Sequence, residues 1–285
     1  MLLPEFEYAR PETLEEAVAL LAAHRNARVL AGGQTLLNAL KLRLVKPEVL
    51  VDVSRVEALR GIRVDEQGRL EIGAAVIYDE LAADPLVRER QPVLAEMTSR
   101  IVDRQVRARG TVGGNVCLAD PTSNYPPLFV ALDAVLRVRG PEGVRETPAE
   151  GFFLAPYVTA LGPGELLEAV LLPPLADDEG VGYESLQVGT DSWALARAAA
   201  LVRANGTIRS ARVVLGCGSV PVRQPAMEAA LVGREPTEEA IAAAAELAGE
   251  DFEPPTDVHA TAEYRTAMAR VMARRAVLAA TRGSR

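Results

Sequence analysis

The sequence predicts an α+β protein built in three parts, and three observations carry that expectation. Residues 1–55 alternate short apolar strands with amphipathic helices, the pattern of a small α/β lobe. Residues 56–176 change texture to strands around polar turns, with antiparallel character. Residues 177–285 run strands first and helices afterwards, the order of a separate α+β unit. A chain of 285 residues can bury a sizeable core across two or three such lobes.

The elements follow in order. "PETLEEAVALLAAH" predicts a helix with its start signal: Thr13 and Glu16 have the capping-box spacing, and Leu14, Ala17, Val18 and Leu21 share one face. "ARVLAGG" predicts a short buried strand that ends at two glycines. "TLLNALKLRL" predicts a second helix, with Leu36, Leu37, Leu40 and Leu44 as its apolar stripe; Pro47 stops it and the strand "VLVDVS" follows. "GIRVDEQGRLEIGAAV" is a hairpin around Asp65–Gly68. "PTSNYPPLFVALDAVLRVRGPEG" reads as turn, short helix, strand and turn, and "GELLEAVLLPP" as a strand closed by two prolines. The acidic "PLADDEGVG" is the best linker candidate. Beyond it, "YESLQV" and "AALVRANGTIRSARVVLGCGS" predict strands, with Asn205–Gly206 as a hairpin turn. Helices are expected in "PAMEAALVG", "TEEAIAAAAELAGE" and "ATAEYRTAMARVMARRAVLAA". The last places Tyr264, Met268, Val271 and Met272 on one docking face and Arg270 and Arg274 on a solvated one.

Composition narrows the function. A formal charge of −8 and 4% aromatic residues argue against nucleic acid and against an anionic membrane surface. No run of 18 apolar residues occurs, so no membrane span is expected, and the start carries no basic region followed by an apolar one, so no signal peptide is expected. A cytoplasmic location is the default. Cys117 and Cys217 are the only cysteines, a spacing that supplies no iron–sulfur ligand set, zinc ribbon or disulfide framework. The two histidines, His24 at a helix C-terminus and His259, have no metal-ligand spacing. GxSxG is absent and no Cys–His nucleophile pair is visible, so no catalytic side chain and no metal site is expected. A borrowed cofactor fits better.

Two glycine pairs point to where it would sit. "RVLAGGQTLLNALKLRL" and, about seventy residues on, "RGTVGGNVCLADP" each put adjacent glycines before a helix. Such a loop presents backbone N–H groups and a helix N-terminus to an anion, and glycine lets the backbone come close. Thr35 adds a hydroxyl in the first; Thr111 and the Asn115 amide do so in the second. The spacing is not GxGxxG and no Walker lysine is present, which disfavours nicotinamide Rossmann binding and P-loop hydrolysis. Two purely structural turns are the other reading.

"AGGQTLLNALKLRLVKPEVLVDVS" together with "RGTVGGNVCLADPTSNYPPLFVALDA" resembles the FAD-binding medium subunit of molybdenum hydroxylases, the family of aerobic carbon monoxide dehydrogenases and xanthine dehydrogenase-like enzymes. "PGELLEAVLLP" and "HATAEYRTAMARVMARRA" extend the likeness through the chain. The resemblance implies a two-lobed FAD-binding fold of the vanillyl-alcohol oxidase and p-cresol methylhydroxylase type, followed by a small α+β C-terminal domain. It implies FAD held by Ala31, Gly32, Gly33, Gln34, Thr35 and Leu36 from one side and by Thr111, Gly113, Gly114 and Asn115 from the other, with Asp120, Asn124, Leu172, Gln187 and Trp193 completing the site.

The chain departs from the pattern twice. Asn124 stands where the family has a flavin-contacting Asp. Gln187 stands where a Lys/Arg-rich run begins, and no base follows until Arg197. Trp193, the only tryptophan, either stacks on the flavin or is buried in the C-terminal lobe. The implied role is an FAD-carrying electron-transfer subunit that collects electrons from a [2Fe–2S] small subunit, fed by a molybdenum-binding large subunit, in a dimer of heterotrimers. The rival reading is a flavin-poor relative serving as a scaffold.

Overall fold

The structure, a computed structural model, describes residues 3–101, 103–189 and 192–283. The first lobe holds β1 (Glu7–Ala9), α1 (Leu14–Ala23), β2 (Ala27–Leu30), α2 (Leu36–Lys41) and β3 (Val49–Asp52). The Thr13 hydroxyl accepts the Glu16 amide at 3.2 Å, and the Glu16 carboxylate takes the Glu12 amide at 2.8 Å. The sheet is parallel with β3 in the centre. Its Val49, Leu50 and Val51 are fully buried, while β2 is an edge strand with Arg28 and Val29 exposed, so the buried strand expected at "ARVLAGG" is half open. The second helix is shorter than its apolar stripe. It ends at Lys41, the chain turns through a left-handed Arg43 (φ 61°), and Leu44 is exposed.

In the second lobe, β4 (Ile62–Val64) and β5 (Leu70–Gly73) form the expected hairpin. Helices α3 (Tyr78–Ala83), α4 (Pro85–Arg90), α5 (Pro92–Ser99), α6 (Arg104–Arg107), α7 (Val112–Leu118) and α8 (Tyr125–Ala131) follow. Next come β6 (Val135–Gly140), β7 (Gly143–Pro148), the small pair β8 (Phe153–Ala155) and β9 (Val158–Thr159), and β10 (Leu166–Leu172). The main sheet runs β4-β5-β10-β6-β7 and is antiparallel throughout. One hydrophobic cluster, from Leu14 to Leu172, serves both lobes.

The last part is a four-stranded antiparallel sheet of β11 (Glu179–Gln187), β12 (Ala194–Asn205), β13 (Thr207–Gly216) and β14 (Val222–Arg223). Helices α9 (Pro225–Leu231), α10 (Glu238–Ala245) and α11 (Ala262–Gly283) cover it. Alanine lets α11 lie close: Ala269, Ala273, Ala276 and Ala280 are buried with Met272 and Val277, and a Cβ on Gly182 of β11 would overlap the Ala276 carbonyl. The expected docking face was drawn too far round the helix, since Tyr264 is exposed and Met268 and Val271 are only partly buried. Nor is the basic face simply solvated. Arg274 pairs with Glu238, and Arg270 Nε donates to the Ala248 carbonyl at 2.9 Å. The sheet's other face meets α8, and Ala199 and Val214 join the core of the first two lobes. Among the described residues no helix is long and apolar enough to cross a membrane, and no cluster of three metal-ligating side chains occurs.

Candidate functional site

The first glycine loop is a run of unused donors. Gly33 is left-handed (φ 72°), which turns the chain from β2 into α2. The Leu37 amide donates to the Gly33 carbonyl and the Ala39 amide to Thr35, closing the first helical turn. The amides of Gly32, Gly33, Gln34, Thr35 and Leu36 donate to no acceptor among the described residues. The Gln34 side chain braces the loop by donating to the Gly32 carbonyl at 3.3 Å, and Asn38 does the same to Gln34 at 3.0 Å. Thr35 is exposed and its hydroxyl makes no capping bond. With six residues, α2 contributes little dipole, so consecutive free amides are what suit this loop to phosphate oxygens.

The second loop is built differently. Thr111 caps α7 by accepting the Gly114 amide at 3.1 Å. The Val112 amide donates to Val76, Gly113 to Ala74 and Asn115 to Thr111, so the sequence expectation of free amides does not hold here. What remains open is a surface and a side chain. Gly114 is exposed, and a Cβ there would meet only Thr111, whereas a Cβ on Gly113 would sit 2.5 Å from that of Ala74. The Asn115 Nδ2 donates to the Tyr78 hydroxyl at 3.1 Å, and its Oδ1 is buried without a partner, which marks a place for an external donor. The loops touch each other: a Cβ on Gly32 would overlap the Arg109 carbonyl and come within 3.0 Å of Gly110 Cα.

Behind Asn115 lies a tyrosine cluster. Tyr78 and Tyr125 have ring centroids 5.3 Å apart, and the Tyr125 hydroxyl meets Thr98 Oγ1 at 3.2 Å. Burial pushes the Tyr78 phenol up to about 12 and that of Tyr125 well above its ordinary value. Burial likewise pushes the Cys117 thiol up to about 12 and that of Cys217 above its ordinary value, so neither thiol is an activated nucleophile.

The remaining sequence-selected residues fall into three places. Asp120 and Asn124 flank the turn after α7. Asp120 Oδ1 accepts from the Thr122 amide and hydroxyl, its Oδ2 from the Tyr157 hydroxyl at 3.2 Å, and the Tyr183 hydroxyl donates to Asn124 Oδ1 at 2.8 Å. Leu172 is wholly buried at the end of β10 opposite Leu70. Gln187 and Trp193 stand at the two ends of an exposed connection between β11 and β12; Thr190 and Asp191 within it lie outside the described residues. Trp193 is 68% exposed, which removes the burial reading. Neither contacts a glycine loop among the described hydrogen bonds. Sequence reasoning missed Tyr78, Tyr183 and Arg197 as neighbours of the site. The one available signal was Arg197, a lone charge inside the alanine-rich "ALARAAAL".

Free amides on one loop, and an exposed glycine and an orphaned amide oxygen on the loop touching it, are the features of a protein that binds a phosphate-bearing cofactor. Residues 4–175 match the FAD-binding domain in molybdopterin dehydrogenase, and residues 182–280 match the CO dehydrogenase flavoprotein C-terminal domain. The chain belongs to this family of FAD-binding medium subunits of molybdenum hydroxylases, and it is an oxidoreductase subunit whose role is electron transfer. It is 40% identical over 283 residues to the carbon monoxide dehydrogenase medium chain of Hydrogenophaga pseudoflava, covering 98% of each chain. It is 31% identical to the glyceraldehyde dehydrogenase medium chain of Sulfolobus acidocaldarius, covering 97% of this chain and 98% of that one. The structure of the Hydrogenophaga carbon monoxide dehydrogenase lacking the Mo-pyranopterin moiety superposes with a TM-score of 0.96 over all of both chains.

Proposed function

We propose that FAD binds across the contact between the two glycine loops, with its diphosphate on the amides of Gly32–Leu36 and against the exposed Gly114. The run of amides with no protein acceptor carries this reading, and the residues present fit the group. Thr35 adds a hydroxyl, and Asn115 Oδ1 takes a donor from the cofactor. Ala31 precedes the donors and Leu36 closes them, Thr111 and Gly113 hold the second loop in place, and Asp120 and Asn124 frame the approach to the C-terminal lobe. Gln187 and Trp193 stand at an exposed edge on the flavin-ring side of the site, while Leu172 supports the site from the core. When bound, FAD supplies reversible one- and two-electron redox chemistry; the chain positions it and sets its potential.

The chain works in a complex. We infer a molybdenum-binding large subunit and a [2Fe–2S] small subunit as partners, assembled as a dimer of heterotrimers, with electrons leaving this chain for an external acceptor. Medium chains of carbon monoxide and glyceraldehyde dehydrogenases resemble this chain along nearly their whole length, a likeness that supports substrate choice by a partner. Two free cysteines suit a reducing, cytoplasmic setting.

Flavin analysis of the complex purified with its partners tests the proposal. Stoichiometric FAD, released on denaturation, is the expected result. A correctly assembled complex without FAD would support the scaffold reading instead, to which the loss of basic residues at 187–196 lends its only support.

A further inference from the structure

We propose that Arg197 supplies the positive charge of the flavin site from beneath, holding the 120–124 turn in place and raising the redox potential of the bound FAD; this rests on the FAD-binding reading above. The case begins with an uncompensated charge. Arg197 lies on β12 and is 2% exposed, the largest fully buried side chain among the described residues. Its stem crosses Gly216 of β13: a Cβ there would come within 2.8 Å of Arg197 Cγ and 3.0 Å of Pro127 Cγ. Its Nη1 donates to the Thr122 carbonyl, its Nε has no partner, and no carboxylate pairs with it among the described residues. Arg265 shows the ordinary solution nearby. It is buried too, but its guanidinium holds both oxygens of Asp257 at 2.8–2.9 Å. Burying a cation without a counter-ion costs several kcal/mol, so an Arg placed this way lacks its anion.

The surroundings say where that anion comes from. Arg197 reaches the middle of the turn that leads from the second glycine loop to Asn124. Its charge also acts on Tyr183, pulling down a phenol that burial pushes up. The Tyr183 hydroxyl occupies Asn124 Oδ1, which leaves the Asn124 amide nitrogen as the group able to donate to a ligand. The stretch "QVGTDSWALA", residues 187–196, contains no basic residue. With no base in that stretch, the buried Arg197 beneath the turn is the cation proposed to supply positive potential to this end of the site. Reduction adds negative charge to a flavin, and a fixed cation favours the reduced form over the oxidised one. Sealed from solvent, Arg197 keeps its effect at high salt, where a surface lysine would be screened.

The test is made on the assembled complex by spectroelectrochemical titration of the flavin. Arg197→Met, which keeps the apolar stem, is expected to lower the midpoint potential. The ratio of affinities for reduced over oxidised FAD should fall on the order of tenfold, the scale of one unit charge acting through a protein interior. Arg197→Lys should restore most of the difference. If Arg197→Met does not assemble, Arg197→Gln keeps a donor for the Thr122 carbonyl without the charge and makes the same comparison. A variant without the charge that carries full FAD at the wild-type potential overturns the role of Arg197 and leaves FAD binding standing. A wild-type complex with no FAD overturns both.

Discussion

The two glycine loops look alike in sequence and solve opposite problems. Among the described residues loop 31–36 leaves five consecutive amides without acceptors, whereas loop 111–115 ties the amides of residues 112–115 to residues 74, 76 and 111. One is a donor platform; the other is an anchored shelf whose open features are the Gly114 surface and the Asn115 oxygen. Within each pair the labour divides the same way. The first glycine serves packing, because Cβ atoms at Gly32 and Gly113 would strike Arg109 and Ala74. The second is the one the proposed site assigns to the ligand face, with a left-handed turn at Gly33 and an uncovered backbone at Gly114. On the proposed site a double glycine encodes two separate requirements, close approach to protein and close approach to cofactor.

Substituting the packing glycines should break this comparison most severely. In Gly32→Val a side chain would be forced against the Arg109–Gly110 backbone, which cannot yield as a flexible side chain could, and the junction of the loops would open. A loss of about 3 kcal/mol in urea denaturation is expected; a wild-type midpoint would show that the loops do not meet as described. Gly114→Val separates fold from ligand. Its Cβ disturbs only the Thr111 cap, for about 1 kcal/mol of stability, yet FAD content should collapse. Full flavin occupancy in this variant would remove the second loop from the binding site.

Smaller effects sharpen the division. Asn115→Ala deletes both the bond to Tyr78 and the orphaned acceptor, so FAD affinity should fall roughly tenfold while the protein loses about 1 kcal/mol. Isothermal titration with FAD and a thermal melt read the two separately, and unchanged affinity would assign Asn115 to structure alone. The weakest effect near neutrality is the pH dependence of the second loop's support. Tyr78 and Cys117, ordinarily at 10.0 and 9.0, are both pushed up to about 12 by burial. The unfolded chain loses these protons first, so their contribution is fully present below about pH 9 and declines as pH rises toward 12. Melting temperatures measured from pH 8 to 11 should fall progressively, and a flat profile would contradict the burial of both groups.

Much of the architecture was legible because local signals agreed with the tertiary outcome. The Thr13 cap, the Asp65–Gly68 hairpin and the Asn205–Gly206 turn depend on short-range chemistry, and all three are formed. Legibility failed where packing partners decide. Leu44 matches the helical period of α2, but the helix stops before it and nothing covers it. The α11 face could not be placed from large apolar residues, because close approach to β11 and β12 selects alanine over Met268 and Tyr264. Trp193 is apolar enough to suggest a core position, yet its segment lies at the sheet's rim.

By itself the sequence determined the family, most strands and helices of the first and last parts, and the two glycine loops as the candidate grip on FAD, since each is written in contiguous residues with their own turn and cap chemistry; the four helices between Tyr78 and Arg107 were not legible in it. Only the tertiary structure decided which amides stay free. A backbone donor is available or consumed according to what lies opposite it, and for Val112 and Gly113 the partners are Val76 and Ala74, more than thirty residues away. The same holds for Arg197. In sequence it is one arginine among alanines, and it becomes a buried cation with no counter-ion among the described residues only because β12 packs against the 120–124 turn and because Gly216 leaves room for its stem.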